Sequence, residues 1–187
     1  MGLTPQRFLR GAVPMVGCLM LAACHGQASA AGPSPRVQIA RLEDLPKPLP
    51  KPYDEAATPQ AVNAALDAAF ARAAAGHKRV IVDLGGNWCS WCRMLAAVME
   101  LPEVKPFIDA NFEVVPVNVT SAQGSLDRNA QVLKRFGMTK VEGFPWLVVA
   151  EADGKVVASS DAVTDDAHHT PQTMVDWLAQ YAKVKPS

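Results

Sequence analysis

The sequence predicts an α/β fold in which a central β-sheet is flanked by helices, and three observations predict it. Helical and β-rich segments alternate along the chain in the order α-β-α-β-α-β-β-α. The run Val80–Leu84 is almost continuously apolar, which is typical of a central strand covered on both faces. Asp153-Gly154 separates two further β-rich runs and indicates a hairpin.

The ends of the helices are marked by residue type. Thr58 is a good N-cap followed by Pro59, and Gly76 ends that first helix. Thr170 and the proline after it begin the last helix in the same way. Between them the sequence predicts helices over 89–99 and 128–136, and strands over 80–84, 112–119, 146–150 and 155–158. Pro116 predicts a bulge or a kink in its strand.

Composition excludes several classes of function. Of 187 residues, 49% are hydrophobic and 19% are charged, so the chain can bury a core. The formal net charge is +0, and no basic field is present that would attract a nucleic acid. The function must therefore depend on a local site.

The N-terminus has the layout of an export signal. Arg7 and Arg10 precede the stretch 11–24, which is uncharged, mostly apolar and too short to span a bilayer as a helix. We therefore predict that residues 1–23 are a signal peptide; the alternative is a buried N-terminal helix. Export would place the protein in an oxidising compartment, the periplasm of a bacterium.

Two types of cleavage site compete in this region. Residues 21–24, Leu-Ala-Ala-Cys, resemble a lipobox, in which Cys24 is acylated and becomes the first mature residue. We favour this site, with the lipid in the outer membrane because His25 follows in place of an aspartate. The alternatives are an ordinary A-x-A site at 28–30 and a weaker lipobox ending at Cys18.

Residues 24–57 are rich in proline and are predicted to form an extended tether between the anchor and a domain at 58–187. The alternative is an arm packed on the domain, in which Val37 and Ile39 add a short strand.

The cysteines point to redox chemistry. Once the signal is removed and Cys24 is lipidated, Cys89 and Cys92 are the thiols left in the folded domain. They follow the predicted strand 80–84 and open a helix, whose N-terminus stabilises a thiolate. Cys89 would then be the nucleophile and Cys92 the resolving thiol. A Cys-x-x-Cys pair also binds metals, but zinc needs four ligands and the sequence has no second pair, so we predict no metal and no cofactor.

Three motifs together resemble the thioredoxin superfamily, and most closely its bacterial exported members. They are Trp88-Cys89-Ser90-Trp91-Cys92, the acid Asp83 six residues before the first cysteine, and Gly143-Phe144-Pro145 just before the hairpin. The resemblance covers about residues 58–187, and Pro52-Tyr53-Asp54 shares it. It implies the thioredoxin fold, a central mixed β-sheet flanked by helices.

The resemblance also implies roles for site residues. Asp83 would exchange a proton with Cys92, and Pro145, in a cis peptide, would face the disulfide. Phe144 would pair with a substrate strand, and Trp88 and Trp91 would contact substrate beside the cysteines. The sequence departs from thioredoxin in having Ser90-Trp91 where thioredoxin has Gly-Pro, and in lacking a basic residue within 112–119 to pair with Asp83.

The expected function is therefore thiol–disulfide exchange, most simply as a reductase of the disulfides of exported proteins or of small-thiol disulfides, with a membrane electron-transfer partner supplying the electrons. Two alternatives remain open: an oxidase that introduces disulfides, and a membrane-tethered module that binds thiol-containing clients without turning them over.

Overall fold

In the computed structural model, residues 1–2, 34–122, 125–160 and 169–183 are described. Within them, four strands form one mixed sheet in the order β2-β1-β3-β4. Strand β1 is parallel to β2 and antiparallel to β3, and β3 is antiparallel to β4. The strands are β1 (Arg79–Gly85), β2 (Phe112–Asn118), β3 (Trp146–Ala150) and β4 (Val156–Ser160). The predicted fold class is confirmed.

The helices lie where their capping residues predict, with one addition. Thr58 accepts a hydrogen bond from the N–H of Ala61, and Thr170 forms a capping box with Thr173. The described helices are α1 (Pro59–Gly76), α2 (Ser90–Met99), α3 (Lys105–Asn111), α4 (Gln131–Arg135) and α5 (Pro171–Ala179). Helix α3 was not predicted, because in so short a segment Ile108 alone is buried and no helical periodicity develops.

The two faces of strand β1 pack into two different hydrophobic clusters. Val80, Val82 and Leu84 pack with α1 on one face, and Ile81 packs with α2, α3 and α5 on the other. Because side chains alternate along a strand, Asp83 lies on the same face as Ile81, the face that α2 covers. The predicted central strand is thus covered on both sides, and its one acid is directed toward the helix that carries the cysteines.

Pro116 does not distort its strand. The pairing of β2 with β1 runs without a shift from Arg79 to Gly85, so the predicted bulge was wrong. Strand β2 lies at the edge of the sheet, where a residue without an N–H can be accommodated.

The prediction of an extended tether over 24–57 also needs correction. From Ser34 onward the chain is packed on the domain: Leu42 and Leu45 are buried, and Val37 and Ile39 pack against the same core cluster. We call residues 34–57 the N-terminal arm. It contains a 3-10 turn at Leu42–Asp44 but not the strand considered for Val37 and Ile39. The apolar side chains of this segment explain the difference, because burying them offsets the entropy of fixing the chain.

No helix among the described residues is both long enough and apolar enough to cross a membrane. The predicted signal peptide, Cys24 and its competing cleavage sites lie outside the described residues.

Candidate active site

The two cysteines lie where β1 leads into α2. Cys89 is the N-cap of α2, and its sulfur accepts a hydrogen bond from the N–H of Cys92 at 3.1 Å. The cysteines form a disulfide, with their Cα atoms 5.3 Å apart. An N-cap normally offers an oxygen to the free N–H groups of the first turn, and here a sulfur takes that place. The same N–H would stabilise a Cys89 thiolate after reduction.

The two sulfurs differ in access to solvent. Cys89 is 6% exposed, and Cys92 is 0% exposed. Cys89 borders a groove of about 660 Å³, and its sulfur lies 3.7 Å from the carbonyl oxygen of Phe144. A disulfide in the groove can therefore reach Cys89 and cannot reach Cys92.

The structure brings the other predicted contact residues to this groove. The Phe144–Pro145 peptide is cis, as the resemblance implies, and the rings of Phe144 and Trp88 form a T-shaped pair at a centroid distance of 6.1 Å. Trp88 and Trp91 are each 39% exposed. Sequence reasoning missed the residues that complete the lining, which come from two loops distant along the chain: Ser125, Leu126, Val141 and Glu142.

Asp83 is fully buried, as its position in β1 requires. Burial raises the pKa of its carboxyl from 3.8 to about 7, and a hydrogen bond from the hydroxyl of Tyr53 at 2.8 Å acts in the opposite direction. The other carboxyl oxygen, Oδ2, has no hydrogen-bond partner among the described residues. Asp83 therefore gains or loses a proton near neutral pH.

Gly85 leaves open a space that the Tyr53 hydroxyl and the Cys92 sulfur border. A Cβ on Gly85 would lie 2.8 Å from the sulfur of Cys92 and 2.7 Å from the hydroxyl oxygen of Tyr53. The sulfur and the hydroxyl therefore share the volume that a side chain at this position would fill. Tyr53 and both cysteines form one buried cluster, against which Phe144 packs.

Tyr53 is the hydrogen-bond partner of Asp83 that sequence reasoning missed. The segment Pro52-Tyr53-Asp54 belongs to the resemblance, but it lies within the predicted tether, and nothing in its local pattern connects it to an acid 30 positions later. Among the described residues, no three His, Cys, Asp or Glu side chains are grouped as metal ligands.

Comparison with known proteins agrees with this geometry. Residues 66–165, more than half of the chain, match the thioredoxin-like domain family. A thioredoxin from Alicyclobacillus acidocaldarius subsp. acidocaldarius is 35% identical over 75 residues, a match that spans 40% of this chain and 63% of that protein. This chain therefore spans less than two thirds of that thioredoxin.

The crystal structure of a disulphide isomerase from Xylella fastidiosa Temecula1 is similar at a TM-score of 0.61 and 28% identity, over 71% of this chain and 97% of that one. The fold and the Cys89–Cys92 pair together fit thiol–disulfide exchange. The chain belongs to the thioredoxin-like family.

Proposed function

We propose that this protein reduces disulfides of exported proteins, with Cys89 as the nucleophile and Cys92 as the resolving thiol. One observation carries the proposal: the Cys89–Cys92 disulfide caps the N-terminus of α2 with Cys89 alone open to the groove. The likeness to a disulphide isomerase supports the same class of chemistry.

The reaction transfers two electrons from the cysteine pair to the substrate. The Cys89 thiolate attacks one sulfur of a substrate disulfide, which forms a mixed disulfide and releases the other substrate sulfur as a thiolate. Cys92 then loses its proton and attacks the sulfur of Cys89. That step releases the second substrate thiolate and leaves the Cys89–Cys92 disulfide that the structure contains.

The second step needs a base, and Asp83 is the candidate. Cys92 is buried, so its thiol proton cannot pass directly to solvent. Asp83 lies on the face of β1 that α2 covers, and its carboxyl has a pKa of about 7. A base with a pKa near the working pH is well suited to accept a proton and to give it up again.

The groove suits an extended polypeptide with apolar residues beside its disulfide. Trp88, Trp91 and Phe144 present aromatic surface, and Leu126 and Val141 add aliphatic surface to the lining. Such a surface binds many apolar sequences by burying area, without requiring one side chain at a fixed position.

We further propose that the protein is exported to the periplasm by residues 1–23 and anchored to the outer membrane through a lipid on Cys24. Because the arm packs on the domain from Ser34 onward, residues 25–33 are the stretch between the proposed lipid and the packed chain. A membrane electron-transfer partner would reduce the cysteine pair again after each turnover.

An insulin-reduction assay with dithiothreitol as the electron source tests the proposal. The wild-type protein should accelerate reduction, and Cys89→Ser should abolish the acceleration. Cys92→Ala should accumulate mixed disulfides through Cys89, which mass spectrometry would detect. Retention of client binding by a double Cys→Ser variant, with no catalysis by the wild type, would instead identify a binding module.

The reduction potential of the Cys89–Cys92 pair tests the direction of transfer. A strongly reducing potential, like that of thioredoxin at about −270 mV, is expected for a reductase. A potential near about −120 mV would contradict the proposed direction and identify an oxidase.

A further inference from the structure

The hydroxyl of Tyr53 contacts the buried acid and lies near the resolving cysteine. It donates to Oδ1 of Asp83 at 2.8 Å, and it shares with the sulfur of Cys92 the space left by Gly85. Burial and the neighbouring carboxylate raise the pKa of Tyr53 well above its ordinary value of 10.0. The hydroxyl therefore keeps its proton and acts as a donor to Asp83.

The active-site segment itself holds Tyr53 in place. The side chain of Asn87 makes two hydrogen bonds with the backbone of Tyr53, accepting from its N–H at 3.2 Å and donating to its carbonyl oxygen at 2.8 Å. Arg93, in α2, donates to the carbonyl oxygens of Leu49 and Pro50 at 2.7 and 2.9 Å. The arm is thus fixed to both the turn before Cys89 and the helix that carries Cys92.

We propose that Tyr53 is a positioning residue for the resolving step: it acts through Asp83, holding the carboxyl group beside Cys92 so that the free Oδ2 accepts the thiol proton. This inference rests on the proposed function. The hydrogen bond from the Tyr53 hydroxyl also favours the charged form of Asp83, which is the form that can accept a proton. The N-terminal arm would then contribute a positioning residue to the active site.

Other charged groups near Asp83 are already neutralised by partners. A cavity of about 640 Å³ beside Pro50 and Pro52 includes Asp83 in its lining. The other charged residues that line this cavity form ion pairs with one another. Lys78 pairs with Glu113, and Lys105 pairs with Asp109 and Glu100. Among the described residues, Tyr53 is the side chain that hydrogen-bonds to Asp83, and Cys92 faces the same space from α2.

Tyr53→Phe tests the inference because it removes the hydroxyl and keeps the ring. The reduced protein is mixed with 5,5′-dithiobis(2-nitrobenzoic acid), and two releases of thionitrobenzoate are followed by stopped-flow absorbance. The first release reports attack by Cys89, and the second reports resolution by Cys92. Each rate is measured from about pH 5 to about pH 9, on either side of the pKa expected of the base.

Loss of the hydrogen bond should raise the pKa of Asp83, so the pH midpoint of the second release should move up by about one unit. Resolution at neutral pH should then be slower by about fivefold and should recover at high pH, while the first release changes little. Tyr181→Phe, at the other tyrosine of the chain, should leave both rates unchanged. In an Asp83→Asn background, Tyr53→Phe should have no further effect on resolution.

Asn87→Ala, which frees the backbone of Tyr53, should move the midpoint in the same direction and serves if Tyr53→Phe does not fold. If the pH midpoint of the second release does not move in whichever of these two variants folds, the role of Tyr53 is overturned and the proposed function is unaffected. The wild-type protein could also reduce no protein disulfide while the pH midpoint of the second release still moves up in Tyr53→Phe. That result would overturn the proposed function and support the role of Tyr53.

Discussion

The buried carboxyl of Asp83 predicts a specific dependence of stability on pH. Its pKa is about 7 in the folded protein against an ordinary value of 3.8, so the folded state holds the proton more tightly than the unfolded state. The contribution of Asp83 to the free energy of unfolding is therefore fully present below about pH 4 and is lost as pH rises toward 7. At about 1.4 kcal/mol per pH unit, the full loss is about 4 kcal/mol.

Asp83→Asn should remove this dependence, because the carboxamide does not ionise. Near pH 5 the variant should be more stable than the wild type by about 2 kcal/mol, and near pH 8.5 by about 4 kcal/mol. Urea unfolding of the oxidised protein at both pH values measures the difference. Asp153→Asn, in the exposed hairpin turn, is the matched control and should change stability little at either pH.

The same variant should lose activity as it gains stability. Turnover should fall by about 10–1,000-fold, as expected when one proton-transfer group is removed, while the first attack by Cys89 changes much less. If the difference in unfolding free energy between wild type and Asp83→Asn were the same at both pH values, the carboxyl would titrate normally in the folded state. The role of Asp83 as the base for Cys92 would then be refuted.

Three other predictions concern different parts of the chain. Brief iodoacetamide treatment of the reduced protein should label Cys89 and spare Cys92, and peptide mapping that finds the reverse would refute the order of attack. Gly85→Ala should destabilise the protein by about 1–3 kcal/mol, because the new Cβ would meet the sulfur of Cys92 at 2.8 Å; denaturant unfolding tests this. Gly76→Ala, which would meet a flexible lysine side chain, is the control and should be neutral or stabilising. Cys24 should carry lipid and retain the protein in the membrane fraction, whereas a soluble mature protein that begins at Ala31 would exclude the anchor.

The arrangement of the cysteines could be predicted from the sequence because it depends on residues close together along the chain. A sulfur at the N-cap and a second sulfur one turn later follow from the spacing of Cys89 and Cys92 and from the strand before them. The burial of Asp83 followed in the same way, from an acid in an otherwise apolar strand. The motif Gly143-Phe144-Pro145 was assigned through a family resemblance.

What surrounds the cysteines was decided by the tertiary structure. Tyr53 reaches Asp83 across 30 positions, and the sulfur of Cys89 lies near the carbonyl of Phe144 across 55 positions. Local patterns carry no information about such contacts, since these depend on the order of strands in the sheet and on which segments cover it. The edge position that accommodates Pro116 has the same origin. The proline-rich composition of the arm could not show that its few apolar side chains would find a surface on the folded domain on which to be buried.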